Sequence, residues 1–299
     1  MNANPNLILG LWPVAGVTTV GVTRDEARRT VAAAIDAGIT RFDTAFSYGY
    51  DGESDRLIGT FLKSDRDRFE LIGKVGQRWT PDRRRRIDGS ARTLTEDAET
   101  SLSRIGVERF DLLMLHSPDP QVPLVESADA IRRLRDAGLA ERVGICNATE
   151  SQRAEFAGVV DCAAIQCPLN LLQPDSLSDR IGPASAAGAE CHVYWTLMKG
   201  LLAGKITRDH VFAPGDSRPG YTVFQGDARR HAHDVVDQLA KLCHESGKTI
   251  AQLSIGWTIS QPGVSAALVG ARRPGQVAEI AAATPLDADL VARMSSLTR

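Results

Sequence analysis

The feature that most constrains this chain is the alternation of short apolar runs with helical segments. Eight such runs, each flanked by turn residues, recur at intervals of roughly 25 to 45 residues. They lie at residues 6–12, 39–42, 69–75, 110–115, 142–146, 163–167, 191–195 and 266–270. Runs without in–out alternation are typical of parallel strands that are buried on both faces. Eight of them favour a closed barrel over an open doubly wound sheet, and no Gly-x-Gly-x-x-Gly follows the first run. We therefore predict an α/β chain that folds as a (β/α)8 (TIM) barrel, one domain over residues 1–299.

Helix boundaries support this alternation. Thr23 and Glu26 form a capping-box pattern, and Gly38 ends the same helical segment. Further helices are expected at residues 53–63, 93–106, 125–137, 150–157, 181–187, 227–246, 250–260, 274–283 and 287–297. Residues 200–226 show no clear period, so we expect a long functional loop after the seventh strand. We also expect a short tail after the last helix.

Composition excludes several classes of protein. The formal net charge is only −2, with 43% hydrophobic and 24% charged residues, which is ordinary for a soluble globular protein. Nothing in the overall charge favours a nucleic-acid or anionic-membrane partner. The run Arg83–Arg86 is a local exception, which we expect to be a solvated loop. No signal peptide or membrane-length apolar run is evident. The five cysteines form no Cys-x-x-Cys pair and fit a reduced, cytoplasmic setting, and no histidine cluster suggests a metal site.

Four reactive side chains occur at or just beyond the ends of apolar runs: Asp43, Tyr48, Lys74 and His116. In a barrel of this kind the carboxyl ends of the strands surround one site. A free tyrosine has a pKa of about 10, and a neighbouring ammonium such as that of Lys74 lowers it. Asp43 can keep Lys74 charged, and His116 can orient a carbonyl oxygen. Each residue alone has a structural explanation, as a turn cap, a solvated lysine, a buried histidine or a wall residue.

Together the four suit the protonation of an incipient alkoxide by Tyr48 as general acid. That step implies hydride delivery to a carbonyl carbon. Because no side chain can donate hydride, a nicotinamide cofactor is implied.

At these residues the chain resembles the aldo-keto reductase family, and the resemblance covers nearly its whole length. The stretch Phe42-Asp43-Thr44-Ala45, the following Tyr48-Gly49, and His116-Ser117-Pro118-Asp119 carry the likeness. It implies a (β/α)8 barrel that binds NADPH without a Rossmann domain, with Asp43, Tyr48, Lys74 and His116 as the catalytic set.

The resemblance also implies a cofactor site. Asn147 and Gln166 would hold the nicotinamide carboxamide, and Tyr194 would stack on the ring. The pyrophosphate loop would include Leu197, Lys199, Gly200, Leu202 and Lys205, and the adenosine-phosphate site Val269, Gly270, Ala271, Arg272, Gln276 and Glu279. Arg272 at a helix start suits a 2′-phosphate by charge pairing and by its position at the helix N-terminus.

The chain departs from the family pattern at three places. The segment 51–55 is one residue longer than usual with Asp55 for Glu, Trp195-Thr196 replaces Ser-Pro, and Ile280 replaces an adenine-binding Asn. Because the chain ends soon after its last helix, we expect an open pocket. Its expected walls are Trp12, Tyr48, Tyr50, Trp79, His116 and the 200–226 loop.

The predicted function is NADP(H)-dependent interconversion of a small polar aldehyde, ketone or sugar carbonyl with its alcohol, by a monomer or weak homo-oligomer. Two alternatives stay open: a slow-turnover, cofactor-binding regulatory barrel, and a sugar dehydrogenase that runs in the oxidative direction. Cofactor oxidation across an aldehyde panel separates the enzyme from the regulatory barrel.

Overall fold

Eight parallel strands close into a barrel, which confirms the predicted fold. The computed structural model describes residues 4–16, 21–63 and 65–298. The barrel strands are β1 Leu7–Gly10, β2 Arg41–Asp43, β3 Glu70–Val75, β6 Phe110–Leu115, β7 Ala140–Cys146, β8 Ala164–Pro168, β9 Glu190–Tyr194 and β10 Ala266–Val269. Between β3 and β6 the chain forms a separate antiparallel hairpin, β4 Gln77–Trp79 with β5 Arg85–Ile87. Each barrel strand pairs with the next barrel strand along the chain, and β10 pairs with β1 to close the ring.

Helices follow the strands much as the sequence predicts. They are α1 Arg24–Asp36, α2 Glu53–Leu62, α3 Ala91–Ile105, α4 Leu124–Asp136, α5 Glu150–Ala157, α6 Gly182–Ala186, α7 Gly226–Ser246, α8 Ile250–Ile259, α9 Pro274–Ala281 and α10 Ala288–Ser296. The predicted start of α3 at Thr93 is wrong, because the Ser90 hydroxyl accepts from the Thr93 amide and caps the helix earlier. A π-helical turn, Leu177–Ile181, precedes α6. None of the helices in the described ranges is long and apolar enough to cross a bilayer.

The predicted loop after β9 is irregular, as expected. It contains only short 3-10 turns, at Met198–Ala203, Arg218–Gly220 and Thr222–Phe224. This loop begins where β9 ends, at the carboxyl end of the barrel, and leads into α7.

The apolar core forms two layers, because successive side chains of a strand point to opposite faces of the sheet. Leu7 and Leu9 face the surrounding helices, whereas Ile8 faces the barrel interior. The interior layer consists of Ile8, Ile72, Leu112, Met114, Ala164, Ala266 and Leu268, with Tyr194 packed against it. Three polar residues lie two positions after an interior residue and share its orientation: Lys74 after Ile72, His116 after Met114, and Gln166 after Ala164. The interior apolar layer therefore forms the floor beneath the polar side chains at the carboxyl end.

The hairpin was not predicted, and the expectation of a solvated loop over Arg83–Arg86 is wrong in part. These arginines are exposed, but Arg85 and Arg86 belong to β5, which pairs with β4. Arg83 has a φ of 61° at the turn between the strands. The hairpin places a strand, rather than the expected solvated loop, beside the mouth of the barrel.

Candidate active site

Asp43, Tyr48 and Lys74 form one hydrogen-bonded group at the carboxyl ends of β2 and β3. The Lys74 ammonium donates to Asp43 Oδ1 in a short contact and to the Tyr48 hydroxyl at 2.9 Å. The Tyr48 hydroxyl lies 3.4 Å from the same Asp43 oxygen. Asp43 is 0% exposed and Lys74 2% exposed, so the ion pair is shielded from water. The predicted acid, phenol and ammonium are thus in direct contact.

Burial and the neighbouring charges shift the pKa values of Lys74 and Tyr48 in opposite directions. Burial alone lowers the pKa of Lys74, but the charge of Asp43, joined by that of Tyr48 once the phenol ionises, outweighs burial and holds the pKa above its ordinary value. Burial raises the pKa of Tyr48 to about 12, and the Lys74 ammonium offsets only part of that rise. The predicted lowering by Lys74 is therefore present but smaller than the effect of burial. At neutral pH the phenol is protonated and the ammonium is charged.

His116 completes the predicted set. Its ring centroid lies 5.9 Å from that of Tyr48, with the rings edge to face. Burial, together with the positive charges of Lys74 and Arg85, lowers the pKa of His116 well below its usual value. Its Nδ1 has no hydrogen-bond partner among residues 4–16, 21–63 and 65–298. The imidazole is neutral near pH 7, with a ring nitrogen left unbonded by the protein.

Gln166 holds the second oxygen of Asp43. Its Nε2 donates to Asp43 Oδ2 at 2.7 Å, while its Oε1 lies 3.8 Å from Cys146 Sγ. The sequence predicts only a cofactor role for Gln166, so this contact with the ion pair was missed. The sequence feature that could have indicated this contact is the position of Gln166 in β8, two residues after the inward-facing Ala164. The Asp43 carboxylate is consequently fixed from both sides, by an ammonium and by an amide.

Asn147 and Tyr194 lie together above the floor. The Tyr194 hydroxyl donates to Asn147 Oδ1 at 2.5 Å. Asn147 Nδ2 donates to the His116 carbonyl at 2.9 Å and contacts Ser117 Oγ at 3.2 Å. Asn147 has a φ of 58°, a left-handed conformation that Asn tolerates better than most residues. The strand-end backbone is bent here so that the Asn147 side chain spans from His116 to Tyr194.

The segment predicted to bind pyrophosphate has unusual backbone geometry. Lys199 and Gly200 have φ angles of 54° and 96° inside the turn Met198–Ala203. The Lys199 ammonium lies 4.0 Å from the ring centroid of Tyr221 and 4.7 Å from that of Trp195. Leu202 is buried and its carbonyl accepts from Ser254, whereas Lys205 is exposed. The lysine is held over two aromatic rings at the edge of the barrel mouth.

The predicted adenosine-phosphate site lies between β10 and α9. Gly270 is required by packing, because a Cβ there would approach Pro13 Cγ to 2.5 Å. The Gln276 side-chain oxygen accepts from the Arg272 amide at 2.8 Å and caps the start of α9. Val269 and Ala271 are buried, and Glu279 is half-buried on α9. The buried Ile280 belongs to the apolar core, in keeping with the loss of a polar contact at that position.

Three arginines surround the start of α9. Burial, followed by the charges of Arg218 and Arg273, lowers the pKa of Arg272. Arg218 comes from the loop and pairs with Asp216 at 2.5 Å, and Arg273 lies 3.8 Å from Glu26. Arg272 has no ion-pair partner in the part of the chain that the structure describes. The N-terminus of α9 therefore has an excess of positive charge.

Aromatic rings line the mouth beside Tyr48. Trp12 meets Tyr48 edge to face at 5.2 Å and stacks near Trp79 at 6.4 Å. Tyr50 meets Trp79 edge to face at 5.1 Å. The Trp79 indole donates to the Ser47 carbonyl at 2.9 Å, which fixes its ring. Three of the expected wall residues, Trp12, Tyr50 and Trp79, thus lie together beside Tyr48, and their role in binding substrate stays a prediction.

The departure at residues 51–55 has a structural consequence. The Asp55 carboxylate accepts from the hydroxyls of Thr44 and Ser101, at 2.7 and 2.8 Å. Burial raises the pKa of Asp55 to about 6. Asp55, on α2, therefore connects the loop after β2 to α3.

Comparison with known proteins identifies the family. The sequence model of the Aldo/keto reductase family matches residues 6–299. Aldo-keto reductase YhdN of Bacillus subtilis (strain 168) is 34% identical over 272 residues, which cover 90% of this chain and 82% of that protein. The NADH-specific methylglyoxal reductase of Escherichia coli (strain K12) is 28% identical over 290 residues, covering 92% and 88% respectively.

Among solved structures, a glycerol dehydrogenase from Gluconobacter oxydans has a TM-score of 0.90 at 30% identity, over 98% of this chain and 90% of that one. An aldo-keto reductase from Bacillus halodurans, at 22% identity and a TM-score of 0.79, shares the fold over 98% of this chain and 92% of that one. The chain belongs to the aldo-keto reductase family and is an oxidoreductase that acts on carbonyl and alcohol groups with a nicotinamide cofactor.

Proposed function

We propose that this protein interconverts a small polar aldehyde, ketone or sugar carbonyl with its alcohol, using NADP(H) and Tyr48 as the general acid and base. The observation that carries the proposal is the buried Asp43–Lys74–Tyr48 group with the neutral His116 ring beside it. The nicotinamide, when bound, supplies or accepts the hydride at the carbonyl carbon. The side chains of this chain account for the accompanying proton.

In the reductive direction, the Tyr48 hydroxyl gives its proton to the carbonyl oxygen as that oxygen gains an electron pair. The phenolate left behind is stabilised by the Lys74 ammonium 2.9 Å away. Asp43 keeps this ammonium charged and directed, although burial favours its neutral form. His116 is neutral, so one of its ring nitrogens can donate a hydrogen bond that positions the carbonyl oxygen. In oxidation the phenolate accepts the alcohol proton, and the same contacts operate in reverse.

The chain's residues fit a phosphorylated dinucleotide. Lys199 and Gly200 shape the turn after β9, and the excess of arginines at the start of α9 suits an additional phosphate. Asn147, Gln166 and Tyr194 surround the position proposed for the nicotinamide. We propose NADP(H) over NAD(H) on the strength of the unpaired Arg272. Because a relative at 28% identity is NADH-specific by name, both cofactors need to be measured.

Tyr48→Phe tests the assignment of the acid. We expect kcat to fall by several orders of magnitude while NADPH affinity changes by less than about threefold, since the hydroxyl transfers a proton but is not proposed to contact the cofactor. Tyr50→Phe is the matched control, because Tyr50 lies in the same aromatic wall but outside the hydrogen-bonded group. Retention of most of the kcat in Tyr48→Phe would remove the basis of the proposal.

Oxidation of a polyol is a second candidate, favoured by the likeness to a glycerol dehydrogenase at 30% identity. Rates with a panel of aldehydes and NADPH, and with a panel of polyols and NADP, decide the preferred direction. A slow-turnover regulatory barrel would bind cofactor tightly but turn over no member of either panel at a substantial rate.

A further inference from the structure

The hairpin places Arg85 on a different face from its neighbours. Arg85 lies directly opposite Trp79 in the antiparallel register, so their side chains share a face. Arg84 and Arg86 alternate to the other face and pair with acidic residues of the hairpin, Asp82 at 2.5 Å and Asp88 at 2.9 Å. The charge of Arg85 is therefore separated from the surface ion pairs that its two neighbours in the chain form.

The Arg85 guanidinium lies against the aromatic wall of the candidate active site. Its Cζ is 4.6 Å from the Trp12 ring centroid and 5.3 Å from that of Trp79. Trp12 in turn lies 5.2 Å from the Tyr48 ring. These contacts of 4.6 and 5.2 Å place Arg85 Cζ within about 10 Å of the Tyr48 ring centroid. The charge of Arg85 also acts on His116.

No acidic residue pairs with Arg85 within residues 4–16, 21–63 and 65–298. An aromatic face attracts a guanidinium but leaves its in-plane N–H groups free, and these match the two oxygens of a carboxylate or phosphate. The one carboxylate of the catalytic group, Asp43, is already neutralised by Lys74. An anion that enters the mouth therefore meets an uncompensated positive charge fixed by two tryptophan rings.

We propose that Arg85 is a specificity residue and that the substrate carries an anionic group, a carboxylate or a phosphate, separated from the reacting carbonyl by a short chain. This inference rests on the proposed carbonyl reduction, because it assumes that the carbonyl binds at Tyr48. Trp12 and Trp79 would then flank the chain between the carbonyl and the anion.

Matched substrate pairs test the proposal. Succinic semialdehyde against butanal probes a carboxylate, and glycolaldehyde phosphate against glycolaldehyde probes a phosphate. In the wild-type protein we expect at least one anionic member to have the higher kcat/KM. Arg85→Gln should lower kcat/KM for that member roughly 10- to 100-fold and for its neutral partner less than about threefold, and Arg85→Lys should restore part of the loss. Arg84→Gln is the control, because it removes a charge from the other face of the hairpin.

The outcomes distinguish a failure of the proposed role of Arg85 from a failure of carbonyl reduction. If Arg85→Gln lowers kcat/KM for the anionic member of only one substrate pair, the result supports the proposal and identifies the anion. Equal losses for anionic and neutral substrates in Arg85→Gln, or none for either, overturn the role of Arg85 while leaving carbonyl reduction intact. If the wild type reduces no carbonyl, carbonyl reduction fails instead, and quenching of tryptophan fluorescence by 4-hydroxybutyrate against 1-butanol still tests anion binding. Binding of 4-hydroxybutyrate that is unchanged in Arg85→Gln also overturns the proposal.

Discussion

Replacing Asp43 by Asn removes the partner of a buried cation. In the wild type, Lys74 is 2% exposed and its nearest opposite charge is Asp43. Removing one member of a buried ion pair typically costs about 3–5 kcal/mol, because the other charge is left uncompensated. Lys74→Met should cost a similar amount, since Asp43 then keeps only the neutral Gln166 amide and the Tyr48 hydroxyl. The double variant contains neither charge, so its loss should be about that of one single variant, with a coupling of roughly 3 kcal/mol.

The pH dependence gives this prediction a definite sign. In the wild type the pKa of Lys74 is raised, so its contribution is fully present below the unfolded pKa of about 10.4 and is lost only as pH rises through the folded value. In Asp43→Asn, burial is no longer opposed by the carboxylate and the pKa of Lys74 falls below the unfolded value. The unfolded state then binds more protons, so stability rises with pH. The deficit of Asp43→Asn should accordingly shrink between pH 7 and pH 9.5.

Urea unfolding of the wild type, both single variants and the double variant at these two pH values measures the effect. Lys241→Met is the control, because it removes an exposed lysine on α7 that should show little coupling to Asp43→Asn. In kcat/KM the same cycle should also be non-additive, since groups that act as one unit are lost together. Additive free-energy losses, or a deficit that is equal at both pH values, would refute the description of Asp43 and Lys74 as a coupled buried pair.

Three further predictions concern other parts of the molecule. Arg272→Ala should weaken NADPH binding about 10- to 100-fold and NADH binding little, measured by fluorescence titration; equal losses would contradict a 2′-phosphate contact. Gly59→Ala should destabilise the protein in thermal unfolding although Ala favours helices by about 1 kcal/mol, because the new Cβ would lie 2.2 Å from the Ile105 carbonyl; a stabilised variant would show that α2 and α3 can separate at little cost. Asp55 has a folded pKa of about 6, above its unfolded value, so its contribution to stability falls as pH rises from about 4 to 6. Asp55→Asn should remove this pH dependence of the unfolding free energy, which urea unfolding of wild type and variant over the same pH range measures. The same pH dependence in both proteins would count against the raised pKa.

The order of the elements and the polar residues at the strand ends could be predicted because both depend on local patterns. Continuous apolar runs, capping residues such as Thr23 and glycines such as Gly38 act within a few positions of the chain. Side chains also alternate between the two faces of a strand, so the orientation of Lys74 follows from that of Ile72, two positions earlier. Such patterns leave helix ends open where two caps lie close together, as at Ser90 and Thr93, where the helix begins after Ser90.

The sequence alone determined the barrel and which side chains stand at its carboxyl end, because periodicity and strand count are properties of the chain itself. Only the tertiary structure decided the partners that these side chains have. Gln166 is 123 positions from Asp43 but donates to it, and burial, a property of the whole fold, outweighs the effect of Lys74 on the pKa of Tyr48. The role of Arg85 likewise depends on pairing between β4 and β5, which places this arginine beside Trp79 and close to Trp12. Distances between residues remote in the chain, and the solvent around them, are set only when the strands close into the barrel.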